Sequence, residues 1–173
     1  MRCRIAALFA LLTVLPAAAL TTEELEAHLQ QITLPDGFSI ALYADGVPNA
    51  RSIALGDEGT VFLGTRNDDK VYAVVDTDGD HRADETHVVF TLGGVGDGVE
   101  RFMPNGVAFH DGDLYIATVN TIFRLDDIED HLTDPPTPVI VNGDYPTERH
   151  HGWKFLAFGP DGEGYGPGGR RGH

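Results

Sequence analysis

Apolar and polar residues alternate in short runs along most of the chain, and the runs recur. SIALGDEGTVFLGT (52–65) and GVAFHDGDLYIAT (106–118) share one design: an apolar stretch, a turn with Asp and Gly, then a second alternating stretch ending in Thr. KFLAFGPDGEGYGPGG (154–169) begins the same way. The alanines Ala54, Ala108 and Ala157 are 54 and 49 residues apart, and the turn glycines Gly59, Gly112 and Gly162 are 53 and 50 apart. Period-two alternation on both sides of a short Asp/Gly turn predicts a β-hairpin, because glycine takes φ > 0 at little cost. A further strand follows in the first two units, KVYAVV (70–75) and TIFRL (121–125). About four short strands in about fifty residues, repeated, predict an all-β fold of the β-propeller kind. A β-sandwich also holds short strands, but it does not repeat its side chains at matching positions.

Blades account for residues 34–162, about two and a half of them. Residues 21–33 (TTEELEAHLQQIT) predict a short amphipathic helix: Thr21 and Glu24 form a capping box, and Leu25, Leu29 and Ile32 share one face. Residues 1–20 read as a signal peptide. Arg2 and Arg4 precede an apolar run at 5–15 that is too short to span a bilayer, and Ala17, Ala18 and Ala19 supply the small residues of a cleavage site. Residues 163–173 (EGYGPGGRRGH) depart from the blade pattern. Their glycines and proline predict no pairing as a blade strand, so the segment reads as an aberrant or truncated Gly-rich tail.

Composition narrows the partners. The net charge is −15, and the leader arginines make the remainder more acidic still. Such a surface disfavours nucleic acid and anionic membranes, and it is compatible with sugars and bound cations. The single cysteine, Cys3, lies in the leader, so the mature chain has neither a disulfide framework nor a thiolate metal site. The expectation is a bacterial periplasmic or secreted protein without stable membrane insertion after cleavage.

Candidate chemistry gathers where each blade begins. The loop entering an innermost strand sits at one mouth of a propeller's channel. The three such loops are 48–51, 102–105 and 151–154, which places Arg51, Asn105, His150 and His151 in one polar cluster. Neighbouring residues entering a strand point to opposite faces, so His150 and His151 do not suit one metal ion. One histidine facing the channel as a general base is the more natural role, since imidazole titrates near neutrality. A second candidate is DTDGDHRADE (76–85), where Asp76, Asp78, Asp80 and Asp84 are spaced like the hard oxygen ligands of a Ca²⁺ loop. His81 stands where such loops want glycine, and His87 where they want a bidentate glutamate.

The stretches LPDGFSIALYADGVPNARSIALG, RFMPNGVAFHDGDLYIATVNTIFRLDDI and PTERHHGWKFLAFGPDG resemble the glucose/sorbosone dehydrogenase family, most of all its L-sorbosone dehydrogenase-like members. The resemblance covers residues 34–162 and about the first third of a family member. It implies an exported six-bladed propeller that binds pyrroloquinoline quinone (PQQ) with Ca²⁺ and oxidises an aldose or sugar aldehyde, passing electrons to an external acceptor. On that resemblance His151 is the general base, with His150 beside it. Arg66 and Lys154 are cofactor-binding, and Arg101, Asn105 and His150 contact substrate. The basic residues that grip PQQ in the family, and its calcium loop, come from blades beyond these residues. Two other readings stand beside this one. MPNG (103–106) also resembles gluconolactonase-type propellers, in which Asn105 would ligate a divalent metal for lactone hydrolysis. The third reading is a non-catalytic propeller fragment or binding module.

Overall fold

The computed structural model describes residues 20–94, 103–147 and 152–166. The chain divides into two compact units, residues 1–42 and 43–173. In the first, helix α1 (Thr22–Leu29) opens on a complete capping box: Thr21 Oγ1 accepts from the Glu24 amide at 3.3 Å, and Glu24 Oε2 accepts from the Thr21 amide at 2.8 Å. None of its residues is buried.

The second unit is built from antiparallel strands in sequence order. A first four-stranded sheet runs β1 (Ala50–Leu55), β2 (Val61–Thr65), β3 (Lys70–Val75) and β4 (Glu85–Thr91). A second repeats the meander with β5 (Gly106–His110), β6 (Asp113–Ala117), β7 (Ile122–Leu125) and β8 (Val139–Asn142). A two-stranded piece, β9 (Ala157–Phe158) with β10 (Gly164–Tyr165), opens a third. Ala54, Ala108 and Ala157 fall in the first strand of the three sheets, as the period requires. This is the β-propeller meander, one blade per repeat.

The repeat glycines explain the one-residue unevenness of the period. Gly59, Gly112 and Gly162 have φ of 92°, 85° and 77°, the left-handed region where only glycine is unstrained. The first and third hairpins share one turn. The Gly56 amide donates to Thr60 O and the Gly59 amide to Gly56 O; the Gly159 and Gly162 amides repeat both bonds with Glu163 O and Gly159 O. The second hairpin closes more tightly, with His110 paired to Asp113 around Asp111 (φ 50°) and Gly112. One residue fewer in that turn shifts its glycine relative to its alanine.

Between the first two blades lies the main core. Phe62, Val71, Ala73 and Phe90 of the first blade meet Val107, Ile116, Phe123 and Leu125 of the second. Phe62 stacks on Phe109 and Phe90 tilts against Phe123. Alternation puts Leu63, Tyr72 and Val74 on the opposite face, covered by Tyr43, Ala44 and Val47. On β1, by contrast, Ile53 and Leu55 are 70% and 66% exposed.

One expectation is corrected. Residues after Glu163 do pair: Gly164 lies opposite Phe158 and Tyr165 opposite Ala157. Two residues form this ladder without a packed apolar run, and the missing Cβ of Gly164 leaves room for the Phe158 ring. Tyr165 then donates its hydroxyl proton to Asp161 Oδ2 at 2.8 Å, tying strand to turn.

Candidate functional site

The three strand entrances meet. Ahead of β1, the Asn49 carbonyl accepts from the Arg66 amide at 3.1 Å. Ahead of β5, the Pro104 carbonyl accepts from the Thr65 amide at 3.0 Å, and the Ser52 hydroxyl donates to the Asn105 carbonyl. The first two entrances are thus joined through backbone groups. The approach is close enough that a Cβ at Gly64 would lie 2.5 Å from the Asn105 carbonyl oxygen.

The third entrance is held by Lys154. Its side chain is 2% exposed, and its ammonium donates to the carbonyls of Val119 and Gly152 while lying 4.5 Å from the Tyr145 ring centroid. Burial pushes its pKa below the ordinary lysine value. The Lys154 carbonyl oxygen would stand only 2.1 Å from a Cβ at Gly106, so glycine is what lets the third entrance close on the second. Lys154, expected to touch a cofactor, here spends its protons on two backbone carbonyls.

Beside it, Trp153 collects positive charge. The Arg66 guanidinium lies 4.1 Å from its ring centroid and that of Arg51 lies 5.5 Å away. Among the described residues neither arginine has a carboxylate partner. Arg51 is aimed there by a bulge: β1 advances two residues, Ala50 to Ser52, while β2 advances one, Thr65 to Gly64. Among the described residues, three polar atoms of the strand entrances are buried without a hydrogen-bond partner: Nδ2 and Oδ1 of Asn105, and Nε1 of Trp153. Such atoms normally find partners in the protein, in ordered water or in a bound polar group. Trp153 was not singled out by the sequence reasoning, although the chain's one tryptophan, two residues after a histidine pair, was the available signal. His150, His151 and Arg101 lie outside the described residues.

The acidic loop is a separate, exposed feature. One carboxylate oxygen each from Asp76, Asp78 and Asp84 lie within 4.8 Å of one another. Asp80 is not in the group; its Oδ1 accepts from the Arg82 amide at 2.8 Å. The loop organises itself from within. Asp76 accepts from the Gly79 and His81 amides, and Asp84 accepts from the Thr77 amide and hydroxyl. Those bonds from Thr77 lower the Asp84 pKa. His81 makes the sharp turn without being glycine, at φ 68°. His87 pairs with Glu85 at 2.8 Å.

A cavity of about 390 Å³ lies elsewhere, between the outer strands of the second blade and β9–β10, lined by Tyr115, Ile122, Tyr145, Leu156 and Phe158 among others. No helix among the described residues is long and apolar enough to cross a membrane.

This architecture is that of a β-propeller domain. Among solved structures, the chain is similar to the holo form of the pyranose dehydrogenase PQQ domain from Coprinopsis cinerea (14% identity, TM-score 0.59), over 75% of this chain and 29% of that one. It is similar also to the PQQ-bound aldose sugar dehydrogenase of Streptomyces coelicolor (18% identity, TM-score 0.54), over 78% of this chain and 42% of that one. A carbohydrate-active enzyme of family AA12 from Trichoderma reesei, in its calcium structure, matches at 17% identity and TM-score 0.54, over 75% of this chain and 31% of that one. The chain therefore spans between 29% and 42% of the length of these structures, which share its fold. No family model matches the sequence, and no curated protein is similar to it at a significant level.

Proposed function

We propose that these blades belong to a PQQ-dependent oxidoreductase acting on an aldose or sugar aldehyde. The observation that carries the reading is the donor-rich cluster at the strand entrances: Arg66 over Trp153, with Asn105 and the indole N–H buried and, among the described residues, without partners. PQQ is planar, acidic and carbonyl-rich, and this donor set fits such a group. Arg66 would hold an acidic edge of it, and Asn105 would contact substrate together with His150 and Arg101. When bound, PQQ supplies a two-electron acceptor for hydride. His151, two residues before Trp153, is assigned the proton of the substrate hydroxyl, a task suited to a side chain titrating near neutrality. Lys154 serves as the post that fixes this stretch against the second blade. The oxygens of Asp76, Asp78 and Asp84 suit a hard cation such as Ca²⁺, whose place is then the loop between β3 and β4.

The test is dye reduction by the purified chain with PQQ, Ca²⁺ and a panel of aldoses and sorbosone. His151→Ala is expected to lower the rate by about 100-fold or more. An unchanged rate in that variant would sink the reading, as would no reduction with any sugar when these blades are tested within a complete propeller ring. The unpaired amide of Asn105 also favours a second reading, metal-dependent lactone hydrolysis. Hydrolysis abolished by Asn105→Ala would establish it.

A further inference from the structure

The chain holds two Asn-Gly steps, Asn105–Gly106 and Asn142–Gly143. Such a step can modify itself, because glycine has no side chain to shield its backbone nitrogen from the preceding asparagine. That nitrogen forms a bond to the asparagine Cγ, its proton passes to hydroxide, and the side-chain amide leaves as ammonia. Water then opens the cyclic imide. Cleavage of the new bond to Cγ gives aspartate; cleavage of the original peptide bond gives isoaspartate, with the main chain routed through Cβ.

The fold treats the two steps oppositely. Asn105 is 1% exposed, and Gly106 is fixed in the β5–β6 ladder opposite Ala117, with the Lys154 carbonyl oxygen packed against it. The imide forms only if nitrogen and Cγ can meet, and a backbone clamped on both sides does not turn. Asn142 and Gly143 are both exposed, at the end of β8. There Asn142 Oδ1 accepts from the Asp144 amide at 2.9 Å, which folds the side chain back along the Gly143 peptide and draws electron density from Cγ. We infer that Asn142 is a site of spontaneous modification in the folded protein, converting to aspartate and isoaspartate, and that the isoaspartyl form loosens β8. Asn142 is the end of the β7–β8 ladder, opposite Ile122, and an extra backbone carbon there spoils the register. Just beyond, the Tyr145 amide donates to the Asn120 carbonyl at 3.3 Å, and the Tyr145 ring lies 4.5 Å from the Lys154 ammonium. Loosening β8 therefore reaches the lysine that fixes the third entrance.

The purified chain is incubated in mildly alkaline buffer, folded and in urea, and then cut after Arg124 and Arg149, which leaves Asn142 as the only asparagine in its peptide. In the folded sample that peptide should grow heavier by the difference between water and ammonia and split into two isomers on chromatography, while Asn105 stays intact. In urea both steps should convert. Gly143→Ala tests the chemistry without straining the fold: its Cβ would meet Ile140 Cγ2 at 3.7 Å, an ordinary contact, and the φ of Gly143 lies outside the left-handed region. The fresh variant should unfold at the wild-type urea midpoint and lose the conversion at Asn142, because the added Cβ crowds the attacking nitrogen. Aged wild type should unfold at a lower midpoint than fresh protein, and the aged variant should not. An intact Asn142 in the folded chain, equal conversion at Asn105, or undiminished conversion in Gly143→Ala overturns the site. An unchanged midpoint in aged wild type that carries isoaspartate overturns the loosening of β8.

Discussion

The acidic loop at 76–84 and the strand-entrance cluster are both candidate sites, yet they are held together in opposite ways. The carboxylate hydrogen bonds that shape the loop lie within nine residues, Asp76 to Gly79 and His81, Asp84 to Thr77, Asp80 to Arg82, and one backbone bond, from the Ala83 amide to the Tyr43 carbonyl at 2.8 Å, reaches outside it. The entrance cluster draws Arg51, Asn105 and Trp153 from segments about fifty residues apart, joined by contacts between blades. The loop's carboxylates already satisfy backbone donors, whereas the cluster has buried polar atoms without partners among the described residues. A turn held mostly from within can form in a partly folded chain. The cluster exists only when all three entrances are docked.

That contrast can be broken most severely at Gly106. Gly106→Ala would drive a Cβ against the Lys154 carbonyl and separate the third entrance from the second. Overpacking of this kind costs about 1–3 kcal/mol. Trp153 fluorescence should shift toward that of an exposed indole, while backbone protection in the 76–84 loop, followed by hydrogen exchange, stays as it was. Loss of both together would mean the two regions are not independent.

Lys154→Met comes next. It keeps the apolar stem but leaves the Val119 and Gly152 carbonyls unpaired, a loss of about 1–3 kcal/mol that urea unfolding would read. The pH dependence sharpens it. Because burial lowers the Lys154 pKa, the folded chain binds that proton less tightly than the unfolded one. Lysine's share of stability therefore rises as pH climbs from the lowered value through about 10.4, where the unfolded lysine titrates. The methionine variant should lose this alkaline gain. A parallel pH profile in the two proteins would contradict the burial of the ammonium.

The smallest effect is expected in the loop. His81→Gly relieves a left-handed φ that costs a non-glycine residue about 1–2 kcal/mol, less about 0.5–1 kcal/mol for glycine's extra freedom in the unfolded chain. A net gain of up to about 1.5 kcal/mol should appear in thermal unfolding, with tighter Ca²⁺ binding if the aspartates take the ion. Trp153 fluorescence should not respond.

Much of the fold was legible in advance because it is written in local chemistry. Alternating runs around Gly59, Gly112 and Gly162 are hairpins wherever they occur, and all three glycines take the left-handed conformation. The threonines ending the second runs were visible as a repeat but not as a function. In the structure the Thr65 hydroxyl donates to the Lys70 carbonyl and the Thr118 hydroxyl to that of Thr121, each closing the next turn. The pairing of Gly164 and Tyr165 was missed because the glycine-rich composition masked a ladder that needs little side-chain packing.

The sequence by itself determined the blade period, the hairpin turns, the capped helix and the acidic loop, since each rests on contacts among near neighbours. Only the tertiary structure decided that Arg51 and Arg66 share the indole of Trp153, that Lys154 is buried against backbone carbonyls, and that Asp80 stands apart from Asp76, Asp78 and Asp84. Residue type and spacing specify what a side chain can do. Which partners it meets depends on how blades dock across fifty residues of chain, and no local pattern encodes that distance.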